Sequence, residues 1–231
     1  MNMPAQRYFR GVVFWLILLV SLGWFFNSAH GSPDFDRLLE SFTHRWGTHN
    51  VPRFNRWRNL VQSITDAPDA DRLKKVNDFF NREIQFGEDI VVWGQNDYWA
   101  TPLESLGKGA GDCEDYVIAK YFTLRESGVT PEKLRLIYVR VQTGSGGGAP
   151  PQAHMVLAYY AQPDAEPLVL DNLIGQIRPA SRRPDLLPVF SFNSDGVFVG
   201  ISGQDTKPSG STGRLSVWED LLKRARAEGF K

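Results

Sequence analysis

The chain has 231 residues with 26 basic and 26 acidic side chains, so its formal net charge is zero. This balance lacks the excess of positive charge that is typical of nucleic-acid-binding proteins, and we expect no nucleic-acid partner. The length is enough for one domain with a substantial core. The only cysteine is Cys113, which excludes an intramolecular disulfide.

Residues 1–31 have the pattern of a targeting segment. Two arginines precede an apolar run, residues 12–26, and the small residues Ala29 and Gly31 follow it as a cleavage pattern. The run is shorter than the roughly 20 residues of a membrane-spanning helix. We therefore predict a signal peptide or an uncleaved signal anchor, followed by a single exported domain over residues 32–231. Removal of the segment takes away two arginines and no acid, which leaves a net charge of −2.

The predicted elements are helical first and rich in strands afterwards. Apolar residues recur at helical spacing in three successive segments before the cysteine. Alternating apolar residues predict strands after it, separated by connectors rich in Gly and Pro. The segments are, in chain order, helices in 35–47, 51–64 and 68–84, strands in 133–142, 153–161 and 167–173, a hairpin in 188–200 and an amphipathic helix in 215–230. This order predicts the α+β class.

The stretch GAGDCEDYVIAKYF, residues 109–122, predicts a further helix that begins at the cysteine. Asp112 stands at its N-cap, Cys113 lies in its first turn, and apolar residues follow at spacings of about four. The partial positive charge at a helix N-terminus favours a thiolate there, whereas neighbouring carboxylates disfavour it. From these residues alone, Cys113 is either a buried apolar residue or a nucleophile.

A nucleophilic cysteine needs a histidine as its base and a third group to orient the ring. Of the four histidines, His154 alone begins a predicted strand, and Asp171 ends the next one. Antiparallel neighbours joined by a short connection place such residues at one end of a sheet. The order Cys113, His154, Asp171 therefore predicts a catalytic triad, although each residue also has an ordinary structural explanation.

Three segments resemble the bacterial transglutaminase-like cysteine proteinases, the LapG-type periplasmic proteases. They are DYWATPLESLGKGAGDCEDYVIAKYFTL, AHMVLAYY and LVLDNL, and the resemblance extends from about Phe35 to Ser202. It implies a papain- or transglutaminase-like fold, with a nucleophile at a helix N-terminus packed on an antiparallel sheet. By position it implies Cys113 as nucleophile, His154 as general base and acid, and Asp171 as the orienting carboxylate.

The resemblance also implies calcium dependence, with Asp112 and Glu114 as metal-binding acids beside the nucleophile. Asp115 is placed with them, and Asp97 is a weaker candidate in the preceding loop. Clustered carboxylates suit Ca²⁺, which takes 6–8 oxygen ligands. A bound dication would offset the negative charge that otherwise raises the pKa of the thiol. Without the family, the same acids are equally well explained as a helix cap and as complements of the helix dipole.

The biological role comes from the resemblance alone. Proteases of this type cut a large surface adhesin near its N-terminus in the periplasm, and so disperse biofilm. A LapD-type inner-membrane receptor that responds to cyclic di-GMP holds them inactive. Two other classes remain open for this chain: a transglutaminase or amidase that transfers the acyl group, and a non-catalytic transglutaminase-like binding module.

The loop before the cysteine is rich in aromatic residues. We expect Trp93, Tyr98 and Trp99 to line a shallow cleft near Cys113, where they contact either the substrate or the receptor. An oxyanion hole could combine the Cys113 backbone N–H with an indole N–H from this loop or with Gln95.

Overall fold

The computed structural model describes residues 33–142, 150–194, 196–199 and 212–230. The predicted targeting segment lies outside these residues. Within the described ranges, no helix combines the length and the apolar character that a bilayer crossing requires.

The helices of the described residues surround the segment that carries the cysteine. In chain order they are α1 (Phe35–Trp46), α2 (Val51–Ile64), α3 (Asp69–Glu83), α4 (Asp89–Val92), α5 (Pro102–Lys108), α6 (Cys113–Glu126) and α7 (Thr212–Glu228). Local sequence signals explain several of their starts. The Asp34 side chain accepts from the Arg37 backbone N–H before α1, and Thr101 and Glu104 form a reciprocal capping box at the start of α5.

The main sheet has six strands in the order β6-β5-β4-β3-β7-β8, and every neighbouring pair is antiparallel. These strands are β3 (Leu134–Val141), β4 (Gln152–Tyr159), β5 (Leu168–Leu170), β6 (Arg178–Pro179), β7 (Leu186–Phe192) and β8 (Val197–Val199). A separate parallel pair joins β1 (Gln85–Phe86) to β2 (Ala110–Gly111). That pair brings the chain before α4 alongside the chain that enters α6.

Helix α6 is the central element of the core. Its residues 115–124 are all buried, so it has no solvent-facing side over that length, as expected for a helix enclosed between two layers. It packs on α3 and α5 on one side and on β4 on the other. One of its buried polar residues, Thr123, accepts from the Trp57 indole N–H of α2 over 2.8 Å.

The predicted fold class is confirmed: helices pack on an antiparallel sheet, and α6 begins at Cys113. The three N-terminal helices, strands β3, β4 and β5, the β7–β8 hairpin and the C-terminal helix lie where the patterns place them. Helix α5 and strand β6 were not predicted, and neither were α4, β1 and β2, because two to seven residues are too few to show a clear period.

Candidate active site and acidic cluster

Cys113 is the first residue of α6 and lies beside strand β4. Helix α6 packs on β4, and the backbone N–H of Met155, the residue after His154, acts to lower the pKa of the thiol. Cys113 therefore lies beside the part of β4 that carries His154. The thiol donates to Glu114 Oε2, with 2.8 Å between the two atoms. Burial, followed by the charge of Glu114, raises the pKa of the thiol far above its ordinary value. This environment favours the thiol over the thiolate unless positive charge is supplied nearby.

His154 and Asp171 meet at one end of the sheet. In the β4–β5 register Leu157 pairs with Leu170, so His154 and Asp171 lie beyond the last pair at the same end. His154 Nε2 lies 2.8 Å from Asp171 Oδ1, and both side chains are almost fully buried. The carboxylate can only accept, so Nε2 carries the proton and Nδ1 is the ring nitrogen that remains for proton exchange.

Asp171 is held by more than the histidine. Its Oδ1 also accepts from the Leu173 backbone N–H over 3.0 Å, and its Oδ2 forms an ion pair with Arg183 Nη2 over 2.8 Å, outside hydrogen-bond alignment. Asn81 of α3 donates to its backbone oxygen over 2.9 Å. Burial acts to raise the pKa of Asp171, but the contacts with His154, Leu173 and Arg183 outweigh burial and lower it. Asp171 is therefore a fixed, ionised carboxylate.

Five carboxylates gather on the other side of the thiol. Oxygens of Asp89, Asp112 and Asp115 lie within 4.8 Å of one another, and so do those of Asp89, Asp97 and Glu114. Asp89 joins the group because the β1–β2 pair carries the chain before α4 alongside the α6 entry. We call Asp89, Asp97, Asp112, Glu114 and Asp115 the acidic cluster.

The close approach of the cluster depends on Gly111. A Cβ atom at this position would lie 2.5 Å from Asp115 Oδ2 and 2.7 Å from its Cβ. Any larger residue would therefore push Asp115 out of its place. The glycine of the GDCED stretch lets strand β2 pass directly over a buried carboxylate.

The acids of the cluster differ in how they are paired. Asp115 is fully buried, and its oxygens accept from the Ala100 backbone N–H over 2.7 Å and from the Trp93 indole N–H over 3.4 Å. Among the described residues, Asp89 Oδ1 and Asp112 Oδ1 are buried without any hydrogen-bond partner. Asp112 also makes no side-chain cap to α6. Asp112 therefore does not serve as the helix cap that the sequence left as an alternative.

The unpaired acids retain protons to unusually high pH. Burial, then the charges of Glu114 and its neighbours, raises the pKa of Asp112 to about 9. Burial likewise raises the pKa of Asp89 to about 6, against the hydrogen bond from the Tyr98 backbone N–H. Buried oxygens without donors, in an all-carboxylate set, fit a hard dication such as Ca²⁺. The residues present therefore fit such a cation: the carboxylate oxygens of Asp89, Asp97, Asp112 and Glu114 could hold it, while the oxygens of Asp115 already accept from Ala100 and Trp93.

Asp89 was missed from the sequence. It lies far from Cys113 along the chain, and only the β1–β2 pairing brings it close. The available signal was the GED sequence just before an apolar turn, which is common in loops.

The aromatic predictions need correction. Trp99 is 1 % exposed and stacks on Phe192, so it cannot line a cleft or form a surface contact. The indole N–H groups of Trp93 and Trp99 donate to Asp115 and Asp97, so neither is free to complete an oxyanion hole. Trp93 and Tyr98 are partly buried and pack against each other.

The exposed apolar side chains next to the cluster come instead from the segment around α4. They are Phe86, Ile90 and Val91, which are 52 %, 57 % and 81 % exposed. Gln95 is exposed in the loop that follows.

Comparison with known proteins agrees with this geometry. Residues 55–185 match the family model described as bacterial transglutaminase-like cysteine proteinase. Calcium-bound LapG of Legionella pneumophila is 38% identical to the chain, with a TM-score of 0.68, covering 82% of this chain and 98% of that one. EGTA-treated LapG is 37% identical, with a TM-score of 0.69, covering 84% and 100%. No curated protein sequence matches the chain. The chain belongs to the bacterial transglutaminase-like cysteine proteinase family.

Proposed function

We propose that the chain is a calcium-dependent cysteine endopeptidase whose nucleophile, base and orienting acid are Cys113, His154 and Asp171. The observation that carries the proposal is the buried pair of His154 and Asp171, whose side-chain atoms are 2.8 Å apart. His154 lies on β4, the strand on which α6 and its first residue, Cys113, pack. A neutral imidazole whose Nε2–H is fixed by a carboxylate presents Nδ1 as a base.

The reaction that follows from this arrangement is acyl transfer to water. His154 takes the proton of Cys113, and the sulfur attacks the peptide carbonyl. His154 then donates that proton to the leaving amine, which breaks the C–N bond and leaves a thioester. A water molecule gives its proton to His154 as its oxygen attacks the thioester; the C–S bond then breaks, His154 returns the proton to the sulfur, and the carboxylic acid product leaves. Asp171 stays ionised and stabilises the imidazolium throughout.

The acidic cluster supports the calcium part of the proposal. Asp89, Asp97, Asp112 and Glu114 would hold the ion. The positive charge of the bound ion would attract Glu114, which otherwise accepts a hydrogen bond from the thiol. The same charge would favour the thiolate over the thiol. The related LapG structures include a calcium-bound and an EGTA-treated form.

The substrate and the control of the enzyme are proposals that rest on the resemblance to LapG-type proteases. We infer that the enzyme cuts the N-terminal region of a large surface adhesin in the periplasm and so disperses biofilm. We infer further that a LapD-type receptor, responding to cyclic di-GMP, sequesters it. The exposed side chains of Phe86, Ile90 and Val91 beside the acidic cluster supply an apolar surface for either partner.

The test is incubation of the purified protein with the adhesin N-terminal domain, in calcium or in EGTA. We expect two fragments with calcium, none with EGTA, and none with Cys113→Ala in either buffer. An added primary amine distinguishes hydrolysis from transfer, because only transfer leaves the amine on the new C-terminus. Uncut adhesin in calcium would contradict the proposed substrate, and full cleavage in EGTA would contradict the calcium dependence.

A further inference from the structure

The loop residue Tyr98 connects the acidic cluster to helix α7. The Tyr98 backbone N–H donates to Asp89 Oδ2 over 2.6 Å, which fixes one oxygen of this carboxylate and leaves Oδ1 without a partner among the described residues. Tyr98 also packs its ring on Trp93, with centroids 4.7 Å apart. The position of Tyr98 therefore determines how Asp89 enters the cluster.

Tyr98 is itself held by a buried ionic network. Its hydroxyl donates to Glu104 Oε1 over 2.7 Å, and Glu104 is fully buried. The same carboxylate pairs with Arg45 of α1 and with Arg224 of α7. The network thus joins α1, α5 and α7 at the residue that orients Asp89.

Arg224 makes the most contacts with the loop. Its Nη1 lies 2.7 Å from Glu104 Oε2 and 3.1 Å from the Tyr98 hydroxyl, and its Nη2 donates to the Trp99 backbone oxygen over 2.7 Å. Its guanidinium carbon is 4.9 Å from the centre of the Tyr98 ring. The planar guanidinium of Arg224 therefore holds both the Tyr98 side chain and the Trp99 backbone oxygen, whereas a lysine ammonium group cannot hold both.

We propose that Arg224 is a positioning residue for the acidic cluster, and that α7 holds the loop of residues 93–101 so that Asp89 and Asp97 stay at the cation site. The inference rests on the proposed calcium dependence. Carboxylates crowded within 4.8 Å repel one another and drive the loop outward. A loop fixed beforehand loses less conformational freedom on binding, so its affinity for the ion is higher. Helix α7 lies outside the residues that match the family model.

The experiment measures calcium affinity directly, by isothermal titration of the EDTA-stripped protein. We expect Arg224→Met to weaken calcium binding about 10- to 100-fold, the range found when supports of metal ligands are removed. Arg224→Lys should recover part of the loss, because it keeps one of the two contacts. Lys223→Met, an exposed neighbour on the same helix, should bind calcium like the wild type.

A second, smaller substitution distinguishes a loss of calcium affinity from misfolding of the Arg224 variant. Tyr98→Phe removes only the hydroxyl and keeps the ring and the backbone N–H, so a several-fold weaker calcium affinity is expected. Near-ultraviolet circular dichroism at saturating calcium should match the wild type for both variants. If both variants bind calcium with wild-type affinity while their melting temperatures fall, the network serves stability alone and the inference is wrong. Wild-type protein that binds no calcium would overturn the calcium proposal itself.

Discussion

The two sides of the thiol differ in how completely their charges are paired. On the sheet side, Asp171 has His154, Leu173 and Arg183 as partners, and these contacts lower its pKa. On the loop side, the crowded carboxylates include two buried oxygens without a partner among the described residues, and the pKa of Asp112 is raised to about 9. The sheet side therefore holds an ionised acid with a lowered pKa, whereas the loop side concentrates buried acids whose pKa values are raised.

This difference assigns the two sides separate tasks. A His–Asp pair that its contacts already hold in place needs little reorganisation before the imidazole accepts a proton, so it is suited to acid–base catalysis. An unpaired acidic group changes its energy steeply when a dication arrives, so it is suited to switching. Cys113 lies between them, contacting β4 on one side and Glu114 on the other. We infer that calcium acts on activity through the thiol rather than through His154.

The largest effect is expected on the paired side. His154→Ala removes the proposed general base, and we expect kcat/KM for adhesin cleavage to fall more than about 1000-fold. His44→Ala, which changes an exposed histidine of α1, should leave the rate unchanged. Cleavage by the His154 variant at a rate within tenfold of wild type would show that the base lies elsewhere.

The second-largest effect is expected when Asp171 loses Arg183, its ion-pair partner. Arg183→Met leaves a buried carboxylate with the histidine and one backbone N–H, so we expect unfolding to become easier by about 3–5 kcal/mol. Activity at low temperature should fall roughly 10- to 100-fold, as for groups that orient a catalytic residue. Arg182→Met, at an exposed neighbouring position, is the matched control. Equal stability of the two variants would mean that Arg183 does not complete the paired side.

On the unpaired side, calcium should change both stability and its pH dependence. The pKa of Asp89, about 6, and that of Asp112, about 9, lie above the ordinary value of 3.8, so the folded protein binds protons more tightly than the unfolded chain. In EGTA this stability is present at low pH and is lost as the pH rises from about 4 through 6 and toward 9. At pH 8, calcium at 100 times its Kd adds about 2.7 kcal/mol, or roughly 5–10 °C in Tm.

The control for this prediction is Asp112→Asn, read by differential scanning calorimetry from pH 5 to 8. Without calcium the variant should be more stable than the wild type at pH 8, because Asp112 must take up a proton when the wild type folds, whereas asparagine is neutral in both states. With calcium it should lose much of the rise in Tm. Wild-type melting temperatures that are flat with pH in EGTA would show that the cluster is not electrostatically strained.

The sequence predicts the sheet side of the site better than the loop side. The spacing of apolar residues predicted that α6 begins at Cys113, and the strand patterns placed His154 at the start of one strand and Asp171 at the end of the next, because both patterns are local. Asp89 could not be found this way, since only the non-local β1–β2 pair carries it to the cluster. Trp99 was expected to line a cleft near Cys113, yet it is buried and stacks on Phe192 of a distant strand, a contact that no local pattern indicates.

The smallest change in activity is expected for Lys120, which tests whether the paired side includes a further cation. This residue of α6 is fully buried, and within the described chain its Nζ has no hydrogen-bond partner. Burial lowers the pKa of Lys120 to about 7, against the opposing charges of Asp171 and Asp78. The amine lies 5.7 Å from the centre of the Tyr116 ring.

Lys120→Met keeps the length of the side chain and removes a poorly solvated amine, so we expect the variant to be more stable by about 1 kcal/mol or more. The folded pKa lies below the unfolded value of 10.5, so the cost of burying the charge is full below pH 7 and declines as the pH rises toward 10.5. The gain measured by urea unfolding should therefore be larger at pH 6 than at pH 9, and kcat/KM should change less than about tenfold. Lys75→Met, exposed on α3, should show neither effect. A Lys120 variant that is less stable at both pH values and loses its activity would instead make the ammonium a necessary partner of Asp171, and the paired side would then depend on two cations rather than one.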